Sequence, residues 1–445
     1  MYVGFVSVYV NDLDRAKAFY VDALGFEVRY DEPVPDGGRW VMLAPPGAQT
    51  SIVLAHAAGG SSSERAGVDT GHAFEVDDVF ATRAAWAEHN VEFTAEPSRE
   101  FYGGWAQFRD SLRAQIAAAD GAEQQMNLLR HAHQAEVFRI LLIDLGGKLT
   151  VEHVSDLLSA LADAVLDVTI ETVWSQFAKR HRDVPRFSVI AYGKLGGKEL
   201  GYASDLDLIF LHDDPDEAAA DIYATFARRL ITWLTTATGA GTLFDIDLRL
   251  RPNGESGLLV TSLESFRRYQ IREGDAANTA WVWEHQALSR ARYCAGDAEI
   301  GERFEEIRAQ VLTMPRDAVA LAQEIVAMRE RVDAGHPNRS KLFDLKHDRG
   351  GMVDIEFIVQ YCVLLHARED AEFVRNMGNI SLLRLAAGFG LMSVEEAETV
   401  AAAYRRYRKL QHTLRLDGME KARVEPDVVV AEREAVTGLW KRVFG

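Results

Sequence analysis

"AYGKLGGKELGYASDLDLIFLHD" (191–213) opens as a loop of small residues and closes as an apolar strand with two aspartates at its mouth. Side chains two apart on a strand face the same way, so Asp205 and Asp207 project together although like charges repel. A hard divalent cation with oxygen ligands reconciles them; a solvated strand end is the plainer alternative for a bare Asp-x-Asp. The glycines upstream bear on that choice. Gly193, Gly196 and Gly197 lack side chains, so the backbone there can approach a phosphate and offer N–H groups, although alone such glycines mark a turn. Their spacing from the Asp pair is not that of a Walker loop, and no Gly-Lys-Ser/Thr follows.

A second strand is expected at "LFDIDLRLRP" (243–252). Alternation puts Phe244, Ile246, Leu248 and Leu250 on one face and Asp245, Asp247, Arg249 and Arg251 on the other. Beside the first strand, its aspartates can complete a three-carboxylate cluster suited to two magnesium ions, which complete their shells with water and substrate phosphates. Arg249 and Arg251 either neutralise a departing pyrophosphate or pair with the neighbouring aspartates.

Outward from these strands, 445 residues allow about three domains, and 48% hydrophobic with 26% charged residues is the balance of a soluble globular protein. No run approaches the ~20 apolar residues of a membrane span, and "MYVGFVSVYV" reads as a strand rather than a leader. Two cysteines, Cys294 and Cys362, make no disulfide framework, which points to the cytoplasm. A formal charge of −18 repels polyanions and argues against a nucleic-acid substrate.

The expected fold class is multidomain α+β. Residues 1–110 repeat a strand–helix–strand pattern ("FVSVYV", "DLDRAKAFYVDAL", "RWVMLAPP", "SIVLAHA", then "HAFEVDD", "DVFATRAAWAEHN", "AQFRD"), a paired βαβββ-type module. Residues 111–185 read as a helical linker region whose two long amphipathic helices run from 123 to 145 and from 151 to 177. A mixed α/β domain follows over 186–295, and a helical domain over 296–445. The break near 110 has no Pro/Gly/Ser linker, unusual for a domain join.

Four stretches carry a resemblance: "YGKLGGKELGYASDLDLIFLHD", "DLRLRPNGESGLLVTS", "AWVWEHQALSRAR" and "FDLKHDRGGMVDIEFIVQY". The order Gly193, eleven residues, Asp205-Leu-Asp207 and a later strand carboxylate resembles the DNA-polymerase-beta-type nucleotidyltransferases. The four stretches together are similar to the glutamine synthetase adenylyltransferase family, across 111–445, in its AMP-attaching half. The resemblance implies a polymerase-beta-like domain flanked by helical bundles, with ATP and Mg2+. It implies transfer of AMP to a tyrosine of glutamine synthetase with release of pyrophosphate. Glutamine and a PII-type signal protein are the implied effectors, although the two-domain arrangement they act on is incomplete.

Carried over motif by motif, Asp205, Asp207 and Asp247 are the implied metal and catalytic carboxylates, with Asp245 the competitor for the third place. Gly193, Lys194, Gly196, Gly197, Ser204, Arg249 and Arg251 are the implied nucleotide contacts. Gly193 precedes Lys194 where the superfamily has a second Gly or Ser; Lys194 either reaches a phosphate oxygen or is a surface lysine. Ser204 either caps its turn or touches nucleotide. Trp281, Trp283, Leu288 and Ala291 are expected in a helix core, Glu284 and Arg290 as an internal ion pair, and Asp354 and Glu356 as caps of a helix start.

"VSVYVNDLDRAKAFYVDALGFEVRYD", "RWVMLAPPG", "GHAFEVDDV" and "YGGWAQFRD" look like the glyoxalase/bleomycin-resistance (vicinal oxygen chelate) superfamily, lacking its last strand. Phe5 and Ser7 stand where a His or Gln ligand is expected, leaving His72 as the one plausible ligand, and a lone His is more often structural. A rearranged gene, a sequence-assembly chimera and a working fusion all account for the abrupt end. The rival functions are therefore an inactive or regulatory nucleotidyltransferase remnant in a chimeric chain, or small-molecule binding, lyase or dioxygenase chemistry in the N-terminal cup.

Overall fold

A computed structural model describes residues 5–34, 38–48, 50–56, 79–89, 91, 104–273 and 279–445. It divides into two units, 1–100 and 101–445.

In the first unit, β1 (Phe5–Val10), α1 (Leu13–Ala18), β2 (Glu27–Pro33), β3 (Arg39–Ala44) and β4 (Ser51–His56) form a sheet of order β1-β4-β3-β2, and α2 spans Val79–Glu88. β1 runs parallel to β4 and the other pairs are antiparallel. Val8, Phe26, Val41, Leu43, Ile52 and Leu54 make its core. Phe5 is exposed and edges onto Trp40, with ring centroids 5.9 Å apart. The "HAFEVDD" stretch and His72 lie outside the described residues.

The second unit opens with α3 (Trp105–Ala117), α4 (Gly121–Leu145) and α5 (Val151–Ser175). α3 corrects two expectations. "AQFRD" is helical, not a strand, because Trp105, Phe108, Leu112 and Ile116 recur at helical spacing and pack into one core. The helix also runs through residue 110, and the division falls between 100 and 101. α3 to α5 are moreover no separate linker: Leu129, Val165, Val173 and Trp174 share their core with the sheet residues Phe187, Val189, Leu208 and Phe210. A chain beginning at Ser111 would lose buried Trp105 and the packing of Phe108, a loss of about 2–3 kcal/mol. The 111–445 fragment is therefore expected to melt several degrees below 101–445; equal melting by calorimetry would refute this account of α3.

The sheet holds β5 (Phe187–Ala191), β6 (Leu206–His212), β7 (Ile246–Asp247), β8 (Val260–Ser262) and β9 (Arg292–Gly296). Its order is β7-β6-β5-β9, with β8 also paired to β6. α6 (Gly193–Gly196) follows β5, and α7 (Ala219–Thr235) joins β6 to β7. β6 is buried on both faces: Leu206, Leu208 and Phe210 meet the α5 and α7 side, while Ile209 and Leu211 meet Phe266, Phe304 and Ile307. A near-continuous apolar run is what a central strand requires. By alternation Asp205 and Asp207 lie on the Ile209 face, at the end where helix cover stops.

α8 (Leu263–Gln270), α9 (Val282–Ser289) and α10 (Ala298–Leu312) complete that layer. Beyond it come α11 (Ala318–Gly335), β10 (Phe343–Asp344), α12 (Met352–His366), α13 (Asn379–Gly388), α14 (Val394–Leu416), β11 (Arg423–Val424) and α15 (Val430–Phe444). Their core includes Ile355, Val359, Leu383, Tyr404 and Tyr407, and β10 pairs antiparallel with β11. Among the described residues no helix is long and apolar enough to cross a membrane.

Candidate functional site

β6 and β7 run parallel in a register that sets Leu206 beside Ile246 and Asp207 beside Asp247. The Leu206 N–H donates to the Asp245 carbonyl at 2.9 Å and locks that register. The loop feeding β7 is pinned by fully buried Arg130, whose guanidinium donates to the carbonyls of Trp233, Thr236 and Gly241 at 3.0, 2.5 and 2.7 Å. Asp205, Asp207 and Asp247 consequently offer carboxylate oxygens that all lie within 4.8 Å of one another. Asp245 is exposed and outside this group.

Three carboxylates at this spacing repel. Burial, and then the charges of Asp205 and Asp247, push the Asp207 carboxyl up to about 6, with Lys346 and Lys194 opposing. Asp247 is held below the ordinary range by the Arg249 guanidinium, which donates to its oxygens at 2.9 and 3.0 Å. Oxygen donors alone, brought this close together, are the set that suits magnesium.

The expected long strand at 243–252 is only two residues long. The chain turns at once, because Arg251 donates to the carbonyls of Leu248, Glu255 and Gly257 at 2.7, 2.8 and 3.3 Å. Arg251 thus closes a loop, and Arg249 makes the aspartate pair foreseen as its alternative.

The glycines have separate reasons. Gly193 has φ +53°, and a Cβ there would lie 2.0 Å from Asp207 Oδ2. The Tyr192 N–H also donates to the Asp207 carbonyl at 2.8 Å, so loop and carboxylate strand touch. Gly196 and Gly197 differ from expectation. A Cβ on Gly196 would meet the Arg290 carbonyl at 2.2 Å, and one on Gly197 the Arg290 guanidinium at 2.6 Å. Their N–H groups donate to the carbonyls of Tyr192 and Gly193, which leaves none for a phosphate. Ser204 caps its own turn, accepting from the Gly201 N–H at 3.1 Å, and takes a long 3.4 Å contact from Lys194 Nζ. Burial, then Lys346, pushes the Lys194 ammonium down to about 8.

Behind the loop lies a polar knot that sequence reasoning missed. Glu199, 7% exposed, pairs with Arg290 and accepts from Tyr404 Oη at 2.7 Å and from the Asn379 backbone at 3.0 Å. Burial alone would raise its carboxyl, yet Arg290, Arg408 and the Tyr404 hydroxyl hold it below the ordinary value. Arg408 adds bonds to Ser155 Oγ at 2.7 Å and to the Glu199 carbonyl at 2.9 Å. Arg290 also meets Glu356 at 3.1 Å.

The expected Glu284–Arg290 pair is therefore absent. Six residues apart on a helix they face different ways, and Glu284 instead accepts from Tyr269 Oη and the Trp281 N–H, each at 2.8 Å. Leu288 and Ala291 are buried and Trp283 is half-buried, but Trp281, at the N-cap of α9, is 58% exposed. Neither expected cap forms: Asp354, in the first turn of α12, accepts from the Gly350 N–H at 2.6 Å ahead of the helix and pairs with buried Arg329 at 2.5 Å, while Glu356 meets Arg290.

Residues 82–307 match the family described as Glutamate-ammonia ligase adenylyltransferase. Residues 2–117 match the Glyoxalase/Bleomycin resistance protein/Dioxygenase superfamily, and 320–424 match PII-uridylyltransferase. The bifunctional glutamine synthetase adenylyltransferase/adenylyl-removing enzyme of Burkholderia mallei is 78% identical over 341 residues, 77% of this chain and 37% of the relative. Its namesake from Ralstonia nicotianae is 63% identical over 342 residues, 77% of this chain and 36% of the relative. The chain thus spans a little over a third of the length of these curated relatives. A glyoxalase/bleomycin resistance/dioxygenase superfamily structure from Sphaerobacter thermophilus is 32% identical, covering 22% of this chain and 78% of its own, with a TM-score of 0.21.

Proposed function

The chain belongs to the glutamate-ammonia ligase adenylyltransferase family, and from that premise we propose that its 101–445 unit transfers AMP from ATP to a tyrosine hydroxyl of glutamine synthetase. The observation that carries the reading is the parallel register that places Asp207 beside Asp247, with Asp205 completing the trio.

These three carboxylates would hold magnesium, which when bound supplies charge to activate the attacking oxygen and to steady the triphosphate. The chain's own groups do the rest. Gly193, without a side chain, lets the loop close on Asp207 and fixes the carboxylate's position. Arg249 is exposed beyond Asp247. It can exchange that carboxylate for the leaving pyrophosphate, to which a guanidinium binds through paired N–H groups. The PII-uridylyltransferase match over 320–424 supports a PII-type protein as regulator, with glutamine as effector, in the cytoplasm.

The direct test is incubation of the purified chain with labelled ATP, magnesium and glutamine synthetase. AMP on the synthetase is the expected result; its absence favours the rival reading, a non-catalytic remnant. A finer expectation separates two neighbours. Asp247→Asn should lower the transfer rate about a hundredfold, and Asp245→Asn, outside the cluster, less than about threefold. Rate measurements giving equal losses, or the reverse order, would remove Asp247 from the site.

A further inference from the structure

Trp281 is the exception among the tryptophans of the 101–445 unit. Trp105, Trp174 and Trp233 are buried and Trp283 and Trp440 half-buried, whereas the Trp281 indole stands in solvent. Leu258, in the loop between β7 and β8, is 72% exposed, more than any other leucine among the described residues. Exposed apolar side chains are ordinary where they are scattered; these two belong to one frame. The Tyr269 hydroxyl accepts from the Asn253 N–H at 3.2 Å and donates to Glu284, which in turn accepts from the Trp281 N–H. Three consecutive hydrogen bonds thus tie the start of α9 to the loop that carries Leu258.

That loop is tied to the carboxylate strand as well, because the one guanidinium of Arg251 holds both the Leu248 and the Gly257 carbonyls. Leu248 follows Asp247 and Leu258 follows Gly257, so the frame begins one residue from the trio. The Arg249 guanidinium is raised first by Asp247 and further by Asp207 and Glu255, so the tip of the loop shares the neighbourhood of the site.

Neither an indole nor a leucine serves a metal or a phosphate. What AMP transfer to a protein requires at this place is a second macromolecule. A tyrosine side chain is short, so its hydroxyl reaches the carboxylates only where the acceptor's backbone comes down to the rim and the residues around it rest there. On the β7 side the rim offers Leu258 and Trp281. Rigid anchors, tryptophan and arginine above all, are the side chains that carry affinity between proteins. An arginine is present: Glu264 is taken by Arg267 and Arg268 and Glu273 by Arg267, which leaves Arg272 exposed, at φ +60°, and without an ion pair among the described residues. Its charge acts on Glu284, which places it beside the start of α9. The complement to this edge is an apolar surface with a carboxylate at its border.

We propose that Leu258 and Trp281 form a ledge on which the acceptor protein seats an apolar patch around its tyrosine, with a carboxylate turned to Arg272. The proposal rests on the AMP-transfer reading above. It gives this edge of the site to the protein substrate and not to the nucleotide.

The test uses the full chain, native and as Trp281→Ala, Trp281→Phe and Leu258→Ala, in calorimetric titration with glutamine synthetase and in transfer kinetics with synthetase and ATP varied separately. Both side chains are exposed, so the melting temperatures should not change. Trp281→Ala should weaken binding of the synthetase, and raise its KM, about tenfold or more, and Leu258→Ala about threefold. Phenylalanine should restore most of the loss, and the KM for ATP should stay as it was. Unchanged affinity for the synthetase in both alanine variants overturns the ledge. So does a rise in the KM for ATP instead, which would mean that the indole stacks on the nucleotide base, or a loss confined to self-association in sedimentation, which would mean a second copy covers it. The two readings fail separately. Native binding of the synthetase that is lost in Trp281→Ala, without AMP transfer, keeps the ledge and rejects the reaction. Transfer indifferent to both residues does the reverse, and a native chain that neither binds nor modifies the synthetase rejects both.

Discussion

Asp207→Asn should lower AMP transfer by about a hundredfold or more, at least ~2.7 kcal/mol of transition-state stabilisation, while leaving the ion-free protein at least as stable as before. The two effects share one cause. Asp207 sits among three carboxylates within 4.8 Å, and its carboxyl is raised from an ordinary 3.8 to about 6. A carboxyl with a raised folded-state value favours folding only below its unfolded value, and that contribution is lost as pH rises through the folded one. At pH 7.5 ionised Asp207 therefore opposes folding, by on the order of 1–3 kcal/mol. Asparagine removes that opposition along with the charge a cation needs. Asp205→Asn should cost activity to a similar degree. The paired measurement is transfer rate and melting temperature at pH 7.5. Near-normal turnover in either variant would refute the carboxylate assignment, and a collapsed melting temperature in Asp207→Asn would refute the electrostatic account.

Glu199→Ala should destabilise the 101–445 unit by about 4–5 kcal/mol, because it leaves charge buried without its partner. Arg408 keeps its bonds to Ser155 and the Glu199 backbone, but among the described residues Arg290 retains only Glu356 as a counter-charge. Tyr404 Oη would lose its acceptor and the Asn379 backbone its own. Glu199→Gln keeps an acceptor for both while removing the charge, and should fall between alanine and native. Denaturant unfolding checks this; a loss below about 1 kcal/mol for alanine would mean the knot is not what joins the glycine loop to the helical domain.

Much of the site is legible because it depends on local rules. Alternation alone puts Asp205 with Asp207 and Asp247 opposite Ile246, and an unbroken apolar run marks β6 as central. What escapes is whatever depends on residues far along the chain. Gly196 and Gly197 look like a phosphate loop until Arg290, from α9, is seen to fill the space above them. Glu199 finds Asn379 180 residues away and Tyr404 205 residues away, separations that no periodicity carries. β7 is shorter than its pattern because alternation continues through Leu250, whereas the Arg251 guanidinium bends the backbone back on itself. "AQFRD" misleads for a different reason: five residues do not separate a period of 2 from one of 3.6. The window from Trp105 to Ile116 does.

The contact between Gly193 and Asp207 also limits how this chain can drift. With φ at +53° and an aspartate oxygen where a methyl would go, a side chain at position 193 is strained and displaces the Asp207 carboxylate. A random library across the two positions would then return glycine with aspartate among active clones, and larger residues at 193 only among clones that had lost activity. A change at 193 is therefore felt first at the Asp207 carboxylate, and the two positions are constrained together.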